Sequence, residues 1–404
     1  MRFFRFYNYN NTIVYFKDGK GPHMRVFGVV CECNPYHSGH GKLIENAFAL
    51  GADKLVAVMS GDFVQRGEPA VLSKFDRAAD LAEQGFSLVF ELPVRYSLSS
   101  SERFAAASVG LLDALGAVDR IIFGSESGDL EALTRVSRAV DDPKTRELVR
   151  ELCGRGYSYP GALSSALTEL FGRETAEILS GPNNLLAVDY LRALASLGSG
   201  IEPVTYRREA DGFSAHSVRE MIENSADAGG YVTEKTRRLI EDGDTVSMQK
   251  WDTVCISLLR RLEEDRFASL PDMSGGLENR LFRASRQAAT LSEFLSIAKT
   301  KSYTMSRIKR AAACAACGIF GEAPDVPPYA RILAIGRGGK ELLREIPASS
   351  ALPVSENLIS LSSVSPAAAR TAEEEIRATD SYNVIRRIPL PAGEDLSRKL
   401  TVID

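Results

Sequence analysis

No stretch of this 404-residue chain is apolar for long enough to span a membrane, and its first residues carry no apolar signal core. The expectation is a cytoplasmic protein with no membrane partner. Cysteine is sparse. Cys31, Cys33, Cys153, Cys255, Cys314 and Cys317 are too few for a disulfide scaffold in a chain of this length. Cys314-Ala315-Ala316-Cys317 has metal-ligand spacing, with Cys31-Glu32-Cys33 as an imaginable partner, but its Ala-rich helical setting suits small buried thiols, and no metal site is read. The absence of a Gly-x-x-x-x-Gly-Lys-Ser/Thr loop argues against a P-loop ATPase. Nor is there an excess of positive charge: 49 Lys and Arg stand against 53 Asp and Glu, so the total does not advertise nucleic-acid binding.

What is present is the composition of a globular chain with a sizeable core, 44% hydrophobic and 25% charged, long enough for two or three domains. Met1 to His23, rich in Phe, Tyr and Asn, reads as an N-terminal extension (1–23). From Met24 apolar runs at Val26–Val30, Leu55–Met59, Ser87–Leu92 and Arg120–Phe123 alternate with helical patterns at Lys42–Leu50, Lys74–Gln84 and Glu102–Leu115. Such alternation predicts βαβ units, hence a Rossmann-like α/β domain with a parallel sheet over 24–225, followed by a mostly helical C-terminal region over 226–404. Within the latter, Trp251, Cys255, Leu258 and Leu262 mark an amphipathic core helix, Ala330–Ile335 reads as a strand and Pro366–Ala378 as a helix.

Two of the four histidines fall as His37-Ser38-Gly39-His40, directly after the first apolar run and before a helical stretch. A strand end followed by a helix start is where an open α/β sheet holds phosphates. Adenylyl transfer builds negative charge on the α-phosphate, and donors must already point at it. Gly39 lets the backbone approach, and imidazole N–H groups donate without a fixed charge. Surface histidines on an ordinary βα loop are the plainer alternative; the strand–motif–helix context speaks against it.

A second clamp is read at Ser214-Ala215-His216-Ser217-Val218-Arg219. Capping alone can explain the hydroxyls, but a hydroxyl and the Arg219 guanidinium at one helix start also suit departing phosphates. The loop from Ser60 to Pro69, with Ser60, Gly61, Asp62 and Arg66, reads as a mobile substrate loop closing on a small anion or RNA, against the plainer reading of an exposed charged loop. Between Arg280 and Arg310 eight Lys or Arg residues face one acid, Glu293. A solvated helix face is the ordinary meaning of such a run, and an RNA footprint the functional one; Arg280, Arg283, Arg286, Arg307, Lys309 and Arg310 are its candidate contacts, with Tyr303 as a stacking residue. By sequence distance this segment lies far from the nucleotide motifs.

Four segments together resemble the bacterial tRNA(Met) cytidine acetate ligases, the TmcAL family: Glu32-Cys33-Asn34-Pro35-Tyr36-His37-Ser38-Gly39-His40, Met59 to Ala70, Phe123-Gly124-Ser125-Glu126 and Gly181-Pro182-Asn183-Asn184. The likeness continues more weakly through Arg307-Ile308-Lys309-Arg310, Tyr329-Ala330-Arg331-Ile332-Leu333 and Glu375-Ile376-Arg377-Ala378-Thr379. It departs from the pattern at Cys33, where an aromatic is usual, at His216, which interrupts a Ser-Ala-Thr-like clamp, and at Asp211-Gly212-Phe213. The resemblance implies a nucleotidyltransferase of the His-x-Gly-His type with an added helical tRNA-binding region. Its activity would use ATP with Mg²⁺ to turn acetate into acetyl-adenylate and acetylate N4 of the wobble cytidine of elongator tRNA(Met).

Carried over by motif, the ATP site would be Val30-Cys31-Glu32-Cys33-Asn34-Pro35-Tyr36-His37-Ser38-Gly39-His40-Gly41-Lys42-Leu43 with Gly124, Asn183, Asn184 and Arg208. His37 and His40 would stabilise adenylyl transfer, and Ser217 and Arg219 would hold the leaving phosphates. Acetate is ionised at neutral pH and needs no general base. Two other readings stay open: a small-molecule adenylyltransferase of the same fold, and a non-catalytic RNA-binding relative.

Overall fold

The computed structural model describes residues 3–7, 13–17, 24–208, 215–224 and 228–403. β1 (Phe3–Tyr7) and β2 (Ile13–Lys17) form an antiparallel pair in the N-terminal segment, whose other residues lie outside the described ones. β3 (Val26–Cys31) and β4 (Lys54–Ser60) are parallel neighbours, and β5 (Phe63–Val64) with β6 (Glu68–Pro69) closes a short hairpin directly after β4. β7 (Leu88–Leu92), β8 (Arg120–Ser125), β9 (Glu202–Arg207), β10 (Ala330–Ile335), β11 (Val354–Ser355) and β12 (Thr401–Val402) complete the main sheet. Its order is β11-β10-β7-β4-β3-β8-β9, with β12 also pairing with β10.

Within that sheet, among the described residues, only the β7–β10 pair is antiparallel. Strands buried on both faces read as continuous apolar runs, and the period of two divides them. Val26, Val56, Val58, Leu88, Phe90, Ile121 and Phe123 pack on one face beneath helices Ser101–Ala114 and Pro182–Leu197. Phe27, Val29, Leu55, Ala57, Met59, Val89 and Ile122 pack on the other, beneath Ser38–Ala49 and Lys74–Glu83. The chain runs outward from β3 through β4 to β7, then returns to place β8 on the opposite side of β3. That reversal makes the carboxyl ends of β3 and β8 the topological switch point, where open α/β sheets bind ligands.

The region after residue 225 is mostly helical but also supplies β10, β11 and β12 to the same sheet. Helices Met248–Arg261, Leu277–Gln287, Leu291–Ala298 and Met305–Cys317 share a separate core containing Trp251, Cys255, Leu281, Phe294 and Ile308, together with Cys314 and Cys317. Phe63 of the hairpin and Tyr382 of the long Pro366–Ile385 helix belong to that core as well. No helix among the described residues is long and apolar enough to cross a membrane.

Candidate nucleotide site

The His37–His40 motif caps its own helix. His37 is the N-cap residue of Ser38–Ala49, its Nδ1 accepting from the Gly39 N–H at 3.0 Å, while His40 Nδ1 accepts from the His37 N–H at 3.2 Å. This reciprocal capping box satisfies helix-end donors that would otherwise lack partners. It also decides the tautomers. With each Nδ1 occupied as an acceptor, a neutral ring carries its proton on Nε2. The ring centroids lie 4.2 Å apart. Burial, then the proximity of His37 and Arg208, pushes the His40 pKa well below 6.5, so His40 is a neutral donor at pH 7. A Cβ at position 39 would lie 2.8 Å from His37 Cε1, so glycine there leaves room for the ring.

The turn before the motif is pinned from several sides. Asn34 Oδ1 accepts from the Val71 N–H at 2.7 Å, and Cys33 is buried with a left-handed φ of 44°, a conformation costly for a non-glycine residue. Arg77, 2% exposed, donates to the carbonyls of Glu32, Gly61 and Leu72, tying the ends of β3 and β4 to the following loop. Nothing in the motifs marks Arg77; its place on a helix recognised only by periodicity conceals it.

Across the switch point, the Glu126 carboxylate accepts from the N–H groups of Asn183 and Asn184 and from Asn183 Nδ2. Burial opposes its charge, but these bonds hold its carboxyl below the ordinary range. Asn183 Oδ1 in turn accepts from Arg208, at the end of β9, at 3.1 Å. Arg208 packs so close to Gly124 that a Cβ there would meet its Cγ at 2.7 Å. Asn184 is committed elsewhere, accepting from Ser127 N–H and donating to Ile178 O. Gly124, Asn183 and Arg208 therefore form one rim, with His40 within electrostatic reach of Arg208.

On the other side Arg219 donates to Asn34 O at 2.9 Å. Burial and the like charge of Arg66 press down its proton affinity, while Glu68 and Glu32 support it. Glu32, raised by burial, accepts from the Gln65 N–H at 2.7 Å. Arg219 thus stands beside the motif within the electrostatic reach of Arg66, Glu32 and Glu68. Ser217 stands on the same Ala215–Glu223 helix, His216 is exposed beside Glu220 at 3.3 Å, and Ser214 and 211–213 lie outside the described residues.

Two expectations need correction. Ser60, Gly61 and Asp62 are buried rather than mobile: Asp62 accepts from the Lys74 N–H at 2.8 Å and from Thr379 Oγ at 2.9 Å, and only Arg66 of the four chosen loop residues is exposed. Polar residues after a strand look solvent-facing when their buried partners are distant in sequence. The basic segment, secondly, is not remote. Lys309 pairs with Glu68, and a Cβ on Gly67, whose φ is 77°, would lie 2.4 Å from Arg310 N. Several of its arginines have structural partners: Arg280 donates to Ala298 O, Arg286 to Leu262 O and Arg307 to Ser274 Oγ. Tyr303 O–H donates to Gly275 O, whereas Arg283 is exposed.

The family described as HIGH Nucleotidyl Transferase matches residues 24–393. The tRNA(Met) cytidine acetate ligase of Acetivibrio thermocellus is 31% identical, covering 94% of this chain and 100% of its own length. That of a Thermoanaerobacter species is 34% identical, covering 93% and 99%. The crystal structure of Thermotoga maritima TmcAL bound with alpha-thio ATP superposes with a TM-score of 0.87 at 30% identity, covering 94% of this chain and all of that one.

Proposed function

This chain belongs to the HIGH nucleotidyl transferases and, among them, to the tRNA(Met) cytidine acetate ligases, and from that premise we propose how its residues divide the reaction. It is an ATP-dependent ligase that acetylates a cytidine of tRNA(Met). The course proposed is attack of acetate on the α-phosphate of ATP to give acetyl-adenylate and pyrophosphate, then transfer of the acetyl group to N4 of the wobble cytidine. The observation that carries this reading is the pair of imidazoles at the switch point, each with Nδ1 accepting from backbone. Their Nε2–H groups are the donors for the five-coordinate phosphorus. Arg219 and Arg66 offer charge to the departing phosphates and to acetate. The Gly124, Asn183 and Arg208 rim takes the nucleoside end. Mg²⁺ enters with ATP as part of the substrate complex.

The test is direct. Acetate-dependent exchange of labelled pyrophosphate into ATP is expected, and mass spectrometry of tRNA(Met) incubated with protein, ATP and acetate should find N4-acetylcytidine. Exchange with nicotinamide mononucleotide or another phosphate acceptor, and none with acetate, would replace the ligase by a small-molecule adenylyltransferase.

For tRNA we propose Arg283 and Lys301, exposed members of the basic segment, as phosphate-binding groups in preference to those already bonded to carbonyls, Lys299 among them. Replacing both by alanine should weaken tRNA binding and flatten its dependence on salt, by about 0.7 to 0.9 in log–log slope for each phosphate that is no longer neutralised. Filter binding across a salt series measures this; an unchanged slope removes these residues from the interface.

A further inference from the structure

Acetyl transfer needs a place for the cytosine ring and an acceptor for the proton its amine loses. Where the 60–69 loop meets the helical layer there is a cavity of about 220 Å³, with walls from Met248, Trp251, Leu291 and Leu295 and a polar edge from Glu68, Lys309, Ser292 and Asp252, the last already accepting from the Leu291 and Ser292 N–H groups. That is smaller than the roughly 300–1,000 Å³ of sites for larger ligands, and suits one base rather than a whole nucleotide. Sequence-specific RNA recognition places a splayed base in such a pocket, against apolar or aromatic walls with its edge hydrogen-bonded.

Glu68 and Lys309 form an ion pair, and Oε2 of Glu68 has no hydrogen bond among the described residues. A carboxylate beside an ammonium matches the cytosine edge, in which the N4 amine donates and the neighbouring N3 and O2 accept. Uracil reverses the first of these, turning an acceptor toward the carboxylate, so the same pair rejects it. Glu68 also belongs to the nucleotide site electrically, because its charge acts on Arg219, which is bonded to Asn34 beside the motif. One residue thus lines the cavity and carries a charge that acts on the phosphate clamp.

We propose that this cavity holds the acceptor cytosine, with Glu68 as the catalytic residue that takes its proton. The inference rests on the ligase reading. The N4 lone pair attacks the acetyl carbonyl carbon and the N–C bond forms. The C–O bond to the adenylate phosphate breaks, AMP leaves with that electron pair, and the N4 proton passes to Glu68 Oε2. Lys309 holds the base by its acceptor edge.

Trp251 is the sole tryptophan of the chain, so its fluorescence reports on the one neighbourhood that includes this cavity and the packed core behind it. The intact protein is titrated with anticodon stem-loop RNA of tRNA(Met) carrying cytidine, uridine or no base at the wobble position. Cytidine RNA should shift the emission and bind at least about tenfold tighter than uridine RNA, as one bidentate base contact allows. In Glu68→Gln that preference should collapse to within about twofold, and single-turnover acetyl transfer from acetyl-adenylate should fall about a hundredfold or more, with partial recovery in Glu68→Asp. Equal emission changes with all three RNAs, or full transfer in folded Glu68→Gln, overturn the pocket. Failure of the unaltered protein to form N4-acetylcytidine in whole tRNA(Met) overturns the ligase reading instead, and the inference with it.

Discussion

Replacing His37 by asparagine is expected to lower turnover by about a hundredfold or more while changing ATP affinity much less, the scale seen when one preorganised transition-state donor is removed. Asparagine is the informative choice because its side-chain oxygen is among the best N-caps and can take over the Gly39 N–H, which alanine cannot. What it lacks is a donor at the position of Nε2. Helix Ser38–Ala49 should therefore persist, leaving loss of transition-state charge stabilisation as the cause. His40→Asn serves as the second arm, with the cap bond to the His37 N–H at risk in the same way. Acetate-dependent pyrophosphate release and equilibrium ATP binding, measured side by side, separate the alternatives. Equal losses in both would make the imidazoles ground-state ligands.

The depressed pKa of His40 adds a pH signature. The unfolded chain takes up the proton first on acidification, near 6.5, and the folded protein resists. Stability from this residue is fully present above the unfolded value and declines as pH falls below it. The activity should not show a His40 titration at pH 6.5, because the ring stays neutral there.

How much of this is legible from sequence depends on whether the partners are close in the chain. The β3, β4, β7 and β8 strands announce themselves because burial on both faces makes apolar runs, and the His37–His40 motif because one turn contains all of its chemistry. The sheet's second edge is partly hidden. Ala330–Ile335 reads as a strand, but nothing local says that it pairs antiparallel with β7, some 240 positions earlier. Asp62 misleads for the same reason: a polar residue after a strand looks exposed unless Lys74 and Thr379 are known to meet it. The clearest overlooked signal lies in segments that match the family without any chemistry attached. Arg331, Glu375 and Thr379 all fall in them, and all three are buried beside the Lys74 helix.

Those residues support the largest stability effect expected in the molecule. Lys74 is 0% exposed, and its ammonium contacts Glu91 at 2.7 Å, Glu375 at 2.9 Å and Asp395 at 2.9 Å. Arg331 reaches Glu91 and Asp395 from β10. Burial opposes the charge on Asp395, but Lys74 and Arg331 hold its carboxyl down at about 2. Glu375 goes the other way: burial first, then Glu91, pushes its carboxyl well above 4.5 against the pull of Lys74, so it holds its proton more tightly than a free carboxyl. Its Oε2 accepts from the Val94 N–H at 2.6 Å, and a Cβ at Gly61 would lie 2.8 Å from Oε1, which sets the cluster directly beneath the β4 loop.

Lys74→Met removes the central cation and leaves carboxylates buried without it, a loss on the order of 3–5 kcal/mol. Glu375→Gln keeps the side chain's shape and an acceptor for the Val94 N–H but sets an amide NH2 toward the Lys74 ammonium, and should cost about 1–3 kcal/mol, less than loss of the central cation. It also removes a liability, because holding that proton above 4.5 subtracts from stability as pH rises. Urea denaturation at pH 7 distinguishes the two variants by their midpoints. Near-equal effects would mean that the Lys74–Glu375 contact alone carries most of what the cluster contributes. In the Lys74→Met protein the backbone N–H that Asp62 accepts from is retained, so kcat for acetate activation by the folded protein should fall much less than stability. In Glu375→Gln it should stay close to that of the unaltered chain, because Val94 and the Gly61 turn keep a partner of the same shape.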